Sequence, residues 1–232
     1  MKETPILFST PMVQAILNGT KTQTRRVATP VKDDSFHGGY KFGMGKEWTS
    51  IDYPKLATYS KYGGKGDVLF VKETFYAYGY WKKNGLTKTG KQKWAFIDGG
   101  IYSYQDEKPT TIRKNSYRKV GWYKRPSLFM PKTAARLWLQ ITGIRVERLQ
   151  TITEDDAKAE GVERWIEERM RSKPEYYKIY YREPGDIDSH YCSTAQCSFE
   201  TLWRSINGPE SWDANPYVWV IEFKVISKTG KP

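Results

Sequence analysis

The sequence predicts an α+β fold, with β-strands at its centre and short helices at the periphery. Three observations predict it. Residues 134–142 and 144–149 alternate apolar with polar side chains, as strands with one wet face do. Val68 to Val71 form a continuous apolar run, and Tyr217 to Ile226 read as a final strand, both suited to burial. Between these lie segments at helical spacing, bounded by residues that start and stop helices.

Taken in order, Pro5 to Ser9 read as a short strand and Pro11 opens a short helix, a position where its missing N–H costs nothing. That helix buries Val13, Ile16 and Leu17, and Gly19 stops it in the left-handed region. Residues 27–64 are rich in Gly, Lys, Asp, Ser and Tyr without sustained period, as expected of a long loop arm. Gly66-Asp67 turns into the strand Val68–Val71, which ends in Lys72 and Glu73. These two read either as a rim ion pair or as a cleft wall facing a ligand. Residues 79–127 form a hairpin region in which Trp81, Trp94, Trp122 and Tyr123 are interleaved with lysines and arginines. Such a pattern suits a single-stranded nucleic acid or, equally, solvated strands with inward aromatics.

Gly143 separates the two alternating runs that follow. Thr153 caps the next helix with Asp156 in a capping-box position, and Gly161 ends it. Glu160 then stands in the last turn, where the helix dipole disfavours a negative charge. Residues 163–185 continue as a charged helix with an apolar stripe of Trp165, Ile166 and Met170. His190, Cys192 and Cys197 form a cluster with metal-like chemistry, but three ligands fall short of the usual four, so no metal is expected; free thiols suit a reducing cytosol, and a disulfide across the short loop stays open if its geometry allows. Ser198 caps a helix bearing Phe199, Leu202, Trp203 and Ile206 on one face, ended by Asn207-Gly208. Asn215 and Pro216 precede the final strand as turn residues or as part of a cleft wall.

With 38 Lys and Arg against 26 Asp and Glu, the chain carries a formal charge of +12, which favours polyanionic partners. At 232 residues it is long enough for one well-buried core. It has no 18-residue apolar run and no signal peptide, so it reads as cytoplasmic.

The densest chemistry lies in Asn18 to Arg26, which gathers Lys21, Thr20, Thr22, Thr24, Arg25 and Arg26 at the exit of a strand–helix unit. Lys21 becomes a base near neutrality only if its pKa falls by roughly 3 units, or about 4 kcal/mol. Burial and the two arginines push that way. Thr24 would then be a lysine-activated nucleophile. In a plain strand, however, Lys21, Gln23 and Arg25 share one face and Thr22, Thr24 and Arg26 the other.

The run from Ile6 through Met12 to Arg26 resembles the opening motif of the ASCH superfamily, small PUA-like β-barrels related to RNA-binding domains. Gly66–Phe75, Ile152–Val162 and Tyr217–Phe223 fit in the same order, so the likeness covers most of the chain. It is similar to the long form carried by bacteriophages and prophages, which would place it in the cytoplasm of a bacterial host. The resemblance implies a PUA-like mixed β-barrel with peripheral helices, a single domain over 1–232 with insertions near 27–64, 79–127 and 163–198. One branch hydrolyses N(4)-acetylcytidine with a lysine, a threonine and a glutamate, which fall by motif on Lys21, Thr24 and Glu160.

The function expected is therefore hydrolysis of a modified nucleobase or nucleoside, with no metal or organic cofactor. Arg25, Arg26, Lys72, Glu73 and Asn215 would contact the substrate or a nucleic acid. The alternatives are a non-catalytic module binding RNA or modified DNA in the same cleft, and a ribonuclease resting on Lys21 and Glu160.

Overall fold

The computed structural model describes residues 1–28, 60–114, 119–165, 176–182, 184 and 190–232. The loop arm expected over 27–64 lies almost wholly outside the described residues, as do Ile166, Met170 and part of the basic run, 115–118.

The architecture is α+β. Its strands are β1 (Glu3–Leu7), β2 (Gln23–Val27), β3 (Val68–Lys72), β4 (Phe75–Leu86), β5 (Gln92–Ser103), β6 (Gly121–Arg125), β7 (Trp138–Arg148), β8 (Arg164–Trp165), β9 (Tyr176–Tyr177) and β10 (Tyr217–Ser227). Its helices are α1 (Thr10–Leu17), α2 (Glu154–Ala159) and α3 (Ala195–Asn207). One sheet has the order β1-β3-β7-β10-β2, a second β5-β4-β6, and β8 pairs with β9. Among the described residues neither larger sheet closes into a barrel. No helix there is long and apolar enough to cross a membrane.

By packing, the chain divides into two compact units. The first comprises Met1–Glu3, Ala15–Val68 and Gln140–Val225. Its core gathers Leu149, Ile152 and Ala157 around α2, Phe199 and Trp203 from α3, and Val218 and Val220 from β10. Each leucine, isoleucine, valine or phenylalanine among them contributes about 1.5–3 kcal/mol when fully buried. Thr153 caps α2 as expected, its hydroxyl accepting from the Asp156 N–H at 3.1 Å. Gly161 ends that helix at φ +80, its N–H donating to the Lys158 carbonyl at 2.9 Å.

Four sequence expectations are corrected in this unit. Gly143 does not interrupt a strand but lies inside β7. An added Cβ there would come within 2.6 Å of a Glu222 carboxylate oxygen, so the glycine marks a close cross-strand approach rather than a break. Ser198 is not the cap of α3; the helix starts earlier, with the Thr194 hydroxyl accepting from the Cys197 N–H at 3.1 Å. Ser198 is buried and donates its hydroxyl to the Lys178 carbonyl at 2.6 Å, while Ile206 is exposed. The chain does not run on as a helix directly after Gly161, since Arg164–Trp165 pair antiparallel with Tyr176–Tyr177; residues 166–175 of the helix expected over 163–185 lie outside the described residues. Cys192 and Cys197 are not free thiols but a disulfide joining the chain before α3 to its first turn.

The second unit comprises Thr4–Gln14, Leu69–Leu139 and Ile226–Pro232. The hairpin expected in the 79–127 region is present as β4 and β5, with β6 on the other edge of β4. The register sets Ala77 beside Tyr102 and Tyr123 on one face, and that face packs Phe75, Ala77, Met130 and Ala134 into a second core.

Candidate active site

The Asn18–Arg26 stretch reaches its place through α1. Gly19 adopts φ +79, and the Thr20 and Lys21 N–H groups both donate to the Ala15 carbonyl, at 2.9 and 3.1 Å. Lys21 then bridges to Glu160, and the Thr22 N–H donates to the Ala159 carbonyl at 2.9 Å, which fixes the incoming strand against the end of α2. Gly161 is required at this crossing. An added Cβ there would lie 2.8 Å from the Lys21 Cβ and 3.1 Å from the Ala15 Cβ.

Lys21 and Glu160, 139 positions apart in the chain, meet in the interior. The ammonium lies 2.8 Å from a Glu160 carboxylate oxygen and 2.8 Å from the Glu160 main-chain oxygen. The residues are 2 % and 4 % exposed. The carboxylate sits at the negative end of a helix, where it would be unfavourable alone, and the lysine compensates both. Burial pulls the Lys21 pKa below its ordinary value; Glu160 opposes that, and Arg26 and Arg25 add to it.

Arg25 is the hub of the surrounding charges. It donates to Glu147 at 2.6 Å, to Asp156 at 2.9 Å and to Glu160 at 3.3 Å, and its side chain is fully buried. Arg145 extends the network, reaching Glu147 at 3.1 Å, Asp156 at 3.0 Å and Glu222. Burial would raise the Asp156 carboxyl, but Arg25 and Arg145 hold it below the usual range. The Gln23 side-chain amide donates to the Asp156 main-chain oxygen at 2.8 Å. Gln23 and Arg25 thus share one face of β2, as strand alternation requires.

Thr24 is buried on the opposite face. The register pairs it with Ile221 of β10, while Arg25 pairs with Val220 and Gln23 with Glu222. Arg26 shares the Thr24 side. Burial lowers its pKa, Tyr62 and Glu160 raise it, and its own charge lowers that of Lys21. The Lys21–Glu160 pair is therefore felt from both faces of β2.

The structure thus brings together Lys21, Arg25 and Glu160, with Thr24 and Arg26 on the other side of the same strand. Arg25 is committed to three carboxylates, and its buried side chain presents no face to solvent. Asn215 acts as a turn residue at φ +40; its side-chain oxygen accepts from the Gln150 N–H at 3.0 Å and its carbonyl from Arg148 at 3.1 Å. In the other unit, Lys72 donates to the Leu128 carbonyl at 2.6 Å. Glu73 is not paired with Lys72 but with Arg136, whose two-pronged guanidinium meets that buried carboxylate through two bonds of 2.9 and 3.2 Å.

Sequence reasoning missed Glu147 and Arg145, which stand two apart on β7 and so point the same way. Asp156 was legible only as a capping residue. Compared with protein-family models, with curated proteins and with solved structures, the chain matches none.

Proposed function

We propose that the protein is a hydrolase of a modified nucleobase or nucleoside, of the N(4)-acylated cytidine amidohydrolase type, working without a metal. The observation that carries this reading is the buried Lys21–Glu160 contact of 2.8 Å. A lysine whose charged form is penalised by burial is a competent base, and a carboxylate on the same proton gives a route for returning it. In the proposed reaction neutral Lys21 takes a proton from a water that attacks the amide carbonyl. The carbon–nitrogen bond to N4 then breaks, with the proton passing from the Lys21–Glu160 pair to the leaving amine as the acid is released. Thr24, on the opposite face of β2, is not the nucleophile in this reading.

The fold that goes with this reading is the PUA-like barrel of the ASCH superfamily. It is supported by a five-stranded sheet whose two edges are the first two strands of the chain. The bacteriophage-type resemblance likewise supports a bacterial cytoplasmic setting.

The test is incubation with N(4)-acetylcytidine and chromatographic detection of cytidine. Lys21→Ala and Glu160→Ala each should lower turnover by about 10²–10⁴-fold, the usual contribution of a positioned proton-transfer group. Absence of cytidine release by the unmodified protein would overturn the reading. A second reading is favoured by the Arg25 network, whose carboxylates leave this cluster well compensated without a substrate. It is a non-catalytic module that binds the same modified base. Retained binding of the nucleoside without turnover would support it.

A further inference from the structure

The outer face of the β5-β4-β6 sheet has the composition of a stacking platform. Alternation along β4 places Tyr78 and Tyr80 on the face opposite the buried Ala77. The register sets Trp122 of β6 directly beside Tyr78, and their rings meet edge to face at 5.5 Å. Ile101 and Ile97 of β5 stand opposite Tyr78 and Tyr80 on the same face. Tyr78 is 36 % exposed and Ile101 54 %, although the opposite face of these strands is a packed core. Lys82 and Lys124 are exposed on the outer face, two residues beyond Tyr80 on β4 and two beyond Trp122 on β6.

Charge decides what covers this face. From Phe75 to Arg125 the sequence holds nine lysines and three arginines against two aspartates and one glutamate. That is an excess of nine in a chain whose formal charge is +12. A second copy would bring the same sign of charge to the same face and be repelled. A duplex offers phosphates but keeps its bases stacked on one another, so the rings would have nothing to hold. An unpaired strand supplies both phosphates for the lysines and open base faces for the rings. Tyr78 and Tyr80 are roughly 7 Å apart along the strand, a separation that suits neighbouring bases of an extended chain.

We infer that the outer face of this sheet binds single-stranded nucleic acid, with bases stacked on Tyr78, Tyr80 and Trp122 and phosphates held by Lys82 and Lys124. This site is separate from the Lys21–Glu160 pair and does not rest on the hydrolase reading.

The test uses the full chain and fluorescence anisotropy with labelled U12 RNA, dT12 DNA and a 12-base-pair duplex. Both single strands should bind more tightly than the duplex. Tyr78→Ala and Trp122→Ala should each weaken binding by about 5- to 150-fold, the range for loss of one stacked base. Lys82→Gln with Lys124→Gln should reduce the slope of log affinity against log salt by about 1.4, since each single-strand phosphate contact accounts for about 0.7. These lysines are exposed, so the pair tests the proposal even if removing a ring disturbs folding. None of the four changes should alter N(4)-acetylcytidine binding or turnover. Equal affinity for the duplex, unchanged affinity in the ring variants, or an unchanged salt slope would overturn the inference. So would a dimer in sedimentation that dissociates on Trp122→Ala, which would assign the face to self-association.

Discussion

Lys21 closes the C-terminal end of α2, its ammonium lying 2.8 Å from the Glu160 main-chain oxygen and 2.8 Å from its carboxylate. One cation thereby answers two negative groups, the carbonyl end of the helix and the side chain beyond it. The nearest other support for that carboxylate is Arg25 at 3.3 Å, so the pair is strongly interdependent.

Replacing Lys21 by Met keeps the volume and removes the charge. The buried Glu160 carboxylate then loses its closest partner, which should cost about 3–5 kcal/mol in urea unfolding. Adding Glu160→Gln should restore part of that loss, so the double variant is less destabilised than the sum of the single ones. Simple additivity would show that the two side chains are not coupled.

The same pair gives the protein an alkaline signature. Because burial lowers the Lys21 pKa below 10.5, the folded chain binds fewer protons at this site than the unfolded chain between the depressed value and 10.5. Stability rises with pH wherever the unfolded state binds more protons, so this contribution increases across that window and is lost as pH falls through it. Tyr104 and Tyr180, both pushed up to about 12, act in the opposite direction above pH 10. The clean observable is therefore the difference in unfolding free energy between the unmodified protein and Lys21→Met, which should grow as pH approaches 10.5. A difference that shrinks would mean that Lys21 is not penalised by burial.

Gly161→Ala should cost more than Gly19→Ala. Both residues have positive φ, +80 and +79, worth about 1–3 kcal/mol for an ordinary side chain. Gly19 has open space around it, whereas a Cβ on Gly161 meets the Lys21 and Ala15 side chains. The excess, read from thermal unfolding of the two variants, measures the squeeze on Lys21. Turnover or nucleoside binding should fall with Gly161→Ala and stay unchanged with Gly19→Ala.

In the second unit, Glu73 is 1 % exposed and is held by two bonds from Arg136. Burial raises its pKa, and Arg136 works against that rise. Arg136→Met should therefore cost about 3–5 kcal/mol at pH 8. At pH 5 the loss should be smaller, because the abandoned carboxyl can take up a proton and become neutral. A loss independent of pH would place the effect in packing against Tyr104, whose ring lies 4.1 Å from the guanidinium.

The helices and strands were readable wherever local chemistry set them. Thr153, Gly161 and Gly19 announce their caps because the need for a hydroxyl acceptor or a left-handed backbone is local. Gly143 and Ser198 misled for the complementary reason. The first answers to Glu222 across the sheet and the second to the Lys178 carbonyl, neither visible in the neighbouring residues. At the site, alternation alone foretold that Lys21 and Arg25 share a side and Thr24 does not. What it could not supply was the far half of the network, Glu147 and Asp156, because a carboxylate on a strand looks solvated until its partner is placed. The disulfide was hidden similarly: a spacing of five residues permits a bond but does not require one.

The distance in sequence between Lys21 and Glu160 has a consequence during synthesis. The amino-terminal cations leave the ribosome well before the carboxylates that neutralise them. At about 5–20 residues per second, the intervening stretch takes roughly 7–28 s to translate. Until then the nascent chain must keep Lys21 and Arg25 hydrated, so the strand that carries them cannot settle into its interior position. Fragments ending before α2 should accordingly remain protease-sensitive throughout their amino-terminal region.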